Sequence, residues 1–198
     1  MFPEMRRKKQ QLSPEACIAI LDRGTSGILA LCGDDGWPYA VPLSYVRQEG
    51  KLYFHCAKAG RKLDLLRQPP KASFCVVDQD QIVPEKYTTY FRSVILFGTG
   101  RELTDDGEKH AAIEALALRY HPTDTPEGRT AAIDQDWAPL CVLEMTVEHM
   151  TGKEAIELVP ADGSNAGIKI GEEMKVEDLL YCVMLVSANE GCNILAEA

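Results

Sequence analysis

Two tight turns close together in the first quarter of the chain restrict its fold more than any other feature. Gly33-Asp34-Asp35-Gly36 separates the apolar run Gly27–Cys32 from Trp37–Val46, and Gln48-Glu49-Gly50 leads from that run into Lys51–Cys56. Short glycine- and aspartate-rich connections between strand-like runs make hairpins, and a hairpin pairs its strands antiparallel. A parallel α/β sheet requires strands and helices in alternation, so these hairpins exclude it. The phosphate loops of that class, GxGxxG and GxxxxGK[ST], are absent as well.

The rest of the pattern extends the sheet and adds helices. Ser13-Pro14-Glu15 reads as a helix start, with Ser13 as the cap, Pro14 in the first turn and Glu15 favoured by the helix dipole. Cys17, Ile18, Ile20 and Leu21 supply its buried face, and Gly24 ends it. A short helix is predicted over 61–67, stopped by Pro69-Pro70, which cannot continue it. Ala72–Val77 and Tyr90–Leu103 read as strands, and Gly98 and Gly100 in the second predict a bulge or a tight bend. Apolar residues recur at helical spacing through Asp105–Tyr120, and the polar stretch 121–136 contains one further helical piece. Leu140–Val147 returns as a strand. Six short antiparallel strands with helices inserted late predict a mainly β, α+β fold, a barrel with peripheral helices.

Composition sets the limits on partners. The 198 residues suffice for one domain with a full core, and 45% apolar with 26% charged is the balance of a globular protein. A formal charge of −9 argues against general binding to nucleic acid or an anionic membrane, and the basic arm at Arg6, Arg7, Lys8 and Lys9 reads as a solvated start. No apolar run reaches membrane-spanning length and no apolar signal core stands at the start. Seven cysteines scattered singly, without CxxC, fit reduced and mostly buried thiols, so a cytoplasmic location is expected.

Against that acidic background, Tyr53-Phe54-His55-Cys56-Ala57-Lys58-Ala59-Gly60-Arg61-Lys62 stands out. A strand runs into a loop, and the loop into a paired cation opening a helix. Arg61 offers a planar fork and Lys62 a point charge, both suited to phosphate; the plain alternative is a solvated pair on a surface helix. His55 is the candidate catalytic residue, able to donate a hydrogen bond or carry a proton near neutral pH, the alternative being a satisfied structural histidine. His110, His121 and His149 show no mutual ligand spacing, so no metal is expected. Ser44 and Ser93 lack a readable His/Asp partner. Trp37 and Tyr39 read as barrel or interface packing, and Asp34-Asp35 as turn residues.

In that setting the chain resembles the FMN-binding split-barrel superfamily, most of all its nitroimidazole-resistance (Nim) branch, which is related to pyridoxamine 5'-phosphate oxidase. The resemblance is carried by 35–45 (DGWPYAVPLSY), 53–57 (YFHCA) with Gly60-Arg61-Lys62, 70–77 (PKASFCVV), 92–98 (RSVILFG) and 149–153 (HMTGK), in order over residues 5 to 157. It implies a six-stranded antiparallel split β-barrel of Greek-key type in domain 1–157. It also implies a homodimer with FMN at the subunit interface. Arg61 and Lys62 would hold the phosphate, backbone at Pro42, Leu43, Ser44 and Tyr45 would meet the isoalloxazine edge, and the partner would contribute Arg92, Ser93 and Val94. Trp137 is implied as an aromatic wall. His55 stands where the Nim branch has its characteristic histidine; the vitamin B6 oxidases often carry a small hydroxyl residue there, which points away from pyridoxamine phosphate oxidation. The implied activity is FMN-dependent reduction of a small planar acceptor such as a nitroaromatic. The alternative is a flavin- or haem-binding protein without turnover.

Residues 158–198 do not fit the barrel and are expected to form a separate, helical C-terminal extension. Ser187-Ala188-Asn189 and its flanks resemble a fragment of a serine-type D-alanyl-D-alanine carboxypeptidase. That enzyme's Ser-x-x-Lys and Lys-Thr-Gly elements are missing, so Ser187 and Asn189 are expected to be catalytically silent.

Overall fold

The computed structural model of the chain describes residues 2, 4–33, 35–67 and 71–155; the expected helical extension lies outside them. The first helix, α1 (Pro14–Arg23), begins as the sequence predicts: the Ser13 hydroxyl accepts from the Ala16 amide, and Cys17, Ile20 and Leu21 are buried. Strands β1 (Ser26–Cys32) and β2 (Pro38–Ser44) form the first hairpin, with Ala30 opposite Ala40. Strands β3 (Val46–Gln48) and β4 (Lys51–Ala57) form the second. Its two-residue loop, Glu49 and Gly50, has both φ angles positive, as a tight hairpin matched to strand twist requires.

There follow α2 (Arg61–Leu66), β5 (Lys71–Val83), β6 (Thr88–Glu102), α3 (Asp106–Tyr120), α4 (Pro126–Asp136) and β7 (Leu140–Ala155). The strands join one sheet in the order β2-β1-β5-β6-β7-β4-β3, antiparallel in the β1–β2, β1–β5, β3–β4 and β4–β7 pairs. The sheet therefore has seven strands where six are expected. The extra one arises because the predicted run Trp37–Val46 divides at Tyr45 into β2 and β3.

That division has a large consequence. β2 and β3 are the opposite edges of the sheet, yet only Tyr45 separates them. Laid flat at about 4.8 Å per neighbour, six spacings would hold the edges roughly 29 Å apart. Two Cα–Cα steps cover no more than about 7.6 Å. The sheet must curl into a half-barrel to bring its edges to one residue. The curl encloses a core of Leu29, Leu31, Leu52, Phe54, Phe74, Val76, Val94, Leu96, Leu143 and Met145.

Gly98 and Gly100 mark close approach rather than a bend. β6 runs unbroken through both, and a Cβ on Gly98 would collide with the Thr146 carbonyl oxygen of β7, while one on Gly100 would meet the Leu66 side chain of α2. On the other face of the sheet, α3 and α4 cover β3, β4 and β7. Ala112 packs with Leu103, Leu140 and Val142, and Ala115 and Leu116 pack with Val46 and Tyr53.

By its internal contacts the chain divides into two compact units, Met1–Asp78 with Ser93–Lys153, and Gln79–Arg92 with Glu154–Ala198. The second, over its described residues, is the outer end of the β5–β6 ribbon with the end of β7. Its strands meet at a 3-10 turn, Pro84–Lys86, closed by Tyr87 in the left-handed region, and Arg92 donates to Glu154 at 3.2 Å. Both strands run further than their sequence pattern indicates, because pairing along the ribbon holds the polar stretch 78–83 extended. No helix among the described residues is long and apolar enough to cross a membrane.

Tyr45 is fully buried and its hydroxyl donates to the Leu21 carbonyl at 2.6 Å. Burial pushes that hydroxyl from 10.0 up to about 12. Between those pH values the unfolded chain has lost a proton that the native state keeps, so stability falls as pH rises. Tyr45→Phe should cost about 1–2 kcal/mol near neutral pH, the loss of a buried hydrogen bond. In urea unfolding over the alkaline range, the variant should lose stability less steeply than the parent. The residual slope belongs in part to Cys141, whose thiol burial also raises to about 12.

Candidate functional site

The cation pair after β4 is held by the packing of a short helix. Leu63, Leu65 and Leu66 bury one side of α2, which leaves Arg61 exposed and Lys62 half-buried. Gly60 enters the helix at φ +133, a conformation side chains rarely adopt, and the space where its Cβ would lie is open. Arg61 Nη2 donates to Asp35 Oδ2 at 2.9 Å, and its guanidinium stands 5.9 Å from the centroid of the Tyr39 ring. Asp35 also accepts from the Trp37 amide at 3.1 Å. The hydrogen bond from Arg61, followed by that amide, holds the Asp35 carboxyl below its ordinary range. The start of α2, the β1–β2 turn and the start of β2 thus converge on one exposed cluster of Arg61, Asp35 and Tyr39.

Asp35 is the member that sequence reasoning missed. A turn assignment explains an aspartate between glycines, and nothing local signals a pair with an arginine 26 positions on. Trp37, expected to pack in the barrel or an interface, is 74% exposed beside it and fills no part of the barrel.

Pro42, Leu43 and Ser44 lie on β2, which among the described residues pairs only with β1 and so has one open backbone edge. An edge strand also accommodates Pro38 and Pro42, which have no N–H for a ladder. Tyr45 is fully buried, its ring edge-on to Phe74 with centroids 5.1 Å apart. Its amide donates to the Tyr120 hydroxyl at 3.1 Å.

His55 is on the helix-covered side of β4, opposite Val142 of β7. It is exposed and lines a cleft of about 360 Å³ between β4, α3, α4 and the start of β7; Arg61 and Lys62 do not line this cleft. Trp137, at the end of α4, is half-buried: Lys109 Nζ stands 4.0 Å from its ring centroid, and His110 packs against it at 5.9 Å. Ser93 lines a second hollow of about 310 Å³ with Phe2, Ile95, Phe97, His149 and Lys153. Burial, then Arg7 and Arg6, lower the Lys153 ammonium from its ordinary value. Val94 is fully buried in the core, and Arg92 belongs to the second unit. Within the first unit the chain therefore brings Arg61 to the start of β2, while His55, Ser93, Val94 and Trp137 contribute to other features of that unit. Among the described residues no group of His, Cys, Asp and Glu could hold a metal ion.

The family model for pyridoxamine 5'-phosphate oxidase matches residues 13–154, the whole β-sheet and its helices. The chain belongs to the pyridoxamine 5'-phosphate oxidase family. Solved members of the same fold include a candidate 5-nitroimidazole antibiotic resistance protein from Bacteroides thetaiotaomicron. It is 19% identical, with a TM-score of 0.61 over 73% of this chain and 86% of that one. An FAD-binding protein from Mesorhizobium loti is 27% identical, with a TM-score of 0.54 over 73% and 96%. An FAD and haem binding protein from Mycobacterium smegmatis is 21% identical, with a TM-score of 0.62 over 84% and 94%. No curated protein matches the sequence.

The Arg61–Asp35 pair predicts a titration. In Arg61→Ala the Asp35 carboxyl should move back up toward its ordinary value, read from its side-chain carbon shift in an NMR titration. A midpoint that does not move would show the Trp37 amide alone to be sufficient.

Proposed function

We propose that the protein is an FMN-dependent oxidoreductase that reduces a small, uncharged planar acceptor such as a nitroaromatic. The observation that supports this reading is the Arg61 guanidinium 5.9 Å from the ring of Tyr39 at the start of β2 and bonded to Asp35, with Lys62 next to it in the chain. The donor set fits the cofactor's phosphate: a planar fork, an ammonium, and the open space at Gly60. Asp35 already holds one arm of the fork, as a phosphate oxygen would. FAD-binding relatives of the same fold support a flavin in general, and the phosphate pair of this chain supports FMN.

A bound flavin would supply hydride or electron transfer itself. The residues of this chain would hold its phosphate at Arg61 and Lys62 and align its ring along Pro42, Leu43, Ser44 and Tyr45. His55 would offer a hydrogen bond or a proton to the acceptor.

A homodimer with cofactor at the interface goes with this reading. It would account for Ser93, Val94 and Trp137 standing apart from Arg61 within the first unit, and it assigns Arg92 to the partner's cofactor as the family resemblance implies. The outer face of the sheet supports it: Pro42, Ile28 and Cys75 form one row across β2, β1 and β5, and Ala40, Ala30 and Ser73 form the next. Ile28 and Val77 are 40% and 59% exposed there, and a lone apolar sheet face of this kind marks an interface. A cytoplasmic location is part of the same reading, since the five cysteines among the described residues are free thiols.

The FAD and haem binding relative favours one second reading, a flavin- or haem-binding protein without turnover. A flavin doublet in the absorption spectrum of the purified protein together with reduction of a nitroaromatic supports the first; a Soret band, or a flavin doublet with no turnover, supports the second.

Two variants test the assignment. Arg61→Ala/Lys62→Ala should purify with its flavin content reduced by about tenfold or more, the loss of charge-assisted contacts to phosphate; unchanged flavin would refute the phosphate role. Ile28→Asp, a charge in the apolar row, should sediment as a monomer and lose flavin with its partner. A dimer that survives this change would place the interface on another face.

A further inference from the structure

The cleft beside His55 is a built site that the flavin contacts do not use. Its deep side is apolar: Ile113 and Leu116 of α3, Ile133 of α4 and Leu140 of β7. Three of these are buried, and Ile113 is partly so. A volume of about 360 Å³ is at the small end of ligand pockets, which run from about 300 to 1,000 Å³.

The width of the cleft is set by an arginine whose charge is met by a carboxylate. Arg129 is nine-tenths buried. Its Nη1 donates to the Asp124 carbonyl oxygen at 3.2 Å, and its Nη2 is 3.5 Å from Glu114 Oε1. The guanidinium therefore clamps α4 to α3, and its buried Nε has no hydrogen-bond partner among the described residues. At the rim, Tyr120 is also committed: its hydroxyl donates to the Thr25 carbonyl oxygen, and its ring remains as a wall. The carboxylates at the opening are those of Asp124 and Asp136, with His121 Nδ1 3.7 Å from Asp124 Oδ2. Of the polar lining, His55 comes from the sheet side, and it is exposed.

The geometry points to this cleft as a binding pocket for a flat apolar ring that is neutral or cationic and not anionic. Its apolar floor buries the ring, two carboxylates repel an anion at the mouth, and His55 hydrogen-bonds the exposed end of the ligand. Binding at the cleft is independent of the oxidoreductase reading. Selection by charge makes Asp124 and Asp136 the specificity-determining residues.

Three one- or two-ring probes test this on the protein as purified: benzimidazole, benzamidine and benzoate, titrated by calorimetry near neutral pH. Benzimidazole and benzamidine should bind, and benzoate about tenfold more weakly. Asp136→Asn should narrow that gap. Ala132→Trp, on the α4 wall, should abolish binding with flavin content unchanged; Ala117→Trp, on the α3 wall, is the second filling variant should the first fail to fold. Equal binding of benzoate would overturn the charge argument. Binding that survives both tryptophans, or no binding by any probe, would overturn the cleft. A flavin-loaded protein that binds none of the three sinks the cleft alone, while a colourless protein that shows the full pattern keeps the cleft and sinks the flavin reading.

Discussion

One residue, Tyr45, joins the two edges of the sheet, and the rest of the architecture depends on the closure it enforces. A chain that must pass from edge to edge in a single step cannot keep its sheet flat. The corner is held from three directions. The Tyr45 hydroxyl is bonded to Leu21 of α1, its amide to Tyr120 at the end of α3, and its ring meets Phe74 of β5. Arg119, beside Tyr120, donates to the Gly24 carbonyl oxygen in the turn between α1 and β1. The ends of two helices and the first turn are thus tied to the point where the sheet closes.

Closure also divides the labour between surfaces. The concave side is filled by side chains. Where α3 and α4 cover β3, β4 and β7, a buried carboxylate locks them in place. Glu144 of β7 accepts from Lys51 of β4 at 2.9 Å and from Arg101 of β6 at 2.8 Å, and Arg101 also reaches Glu108 of α3 at 3.0 Å. Burial alone would raise the Glu144 carboxyl, but these donors together outweigh it and hold the group charged. Among the described residues the closed sheet leaves open the edge of β2, the start of α2 carrying Arg61 and Lys62, the hollow beside Ser93, and the cleft that the clamped helices leave beside His55.

Much of this was legible in the sequence where the signal is local. The two hairpins follow from their turn residues and α1 from Ser13 and Pro14. The losses came where the determinant is tertiary. Nothing in Trp37–Val46 marks a break at Tyr45, because the break is imposed by where the sheet's edges must meet. Gly98 and Gly100 suggest a bend by type, but the reason for them is the approach of β7 and Leu66. Alternation along β4 places His55 opposite in sense to Phe54, and it takes the helices to say what covers that side. The pairing of Arg61 with Asp35 had no sequence signal at all.

That pairing bears on how the site is prepared. Arg61 and Asp35 are both about half exposed, and an ion pair in that setting contributes little to folding, between about zero and 1 kcal/mol. Its role is better understood as orientation. With Asp35 anchored by the Trp37 amide, the guanidinium is drawn across Tyr39 toward β2 instead of sampling solvent. On the proposed reading, a cofactor phosphate would bring more charge than the carboxylate and more acceptor oxygens, and Lys62 stands next in the chain to share it. The carboxylate already present could then be displaced or joined at small cost, so the fork would be aimed before such a ligand came and not sealed against it.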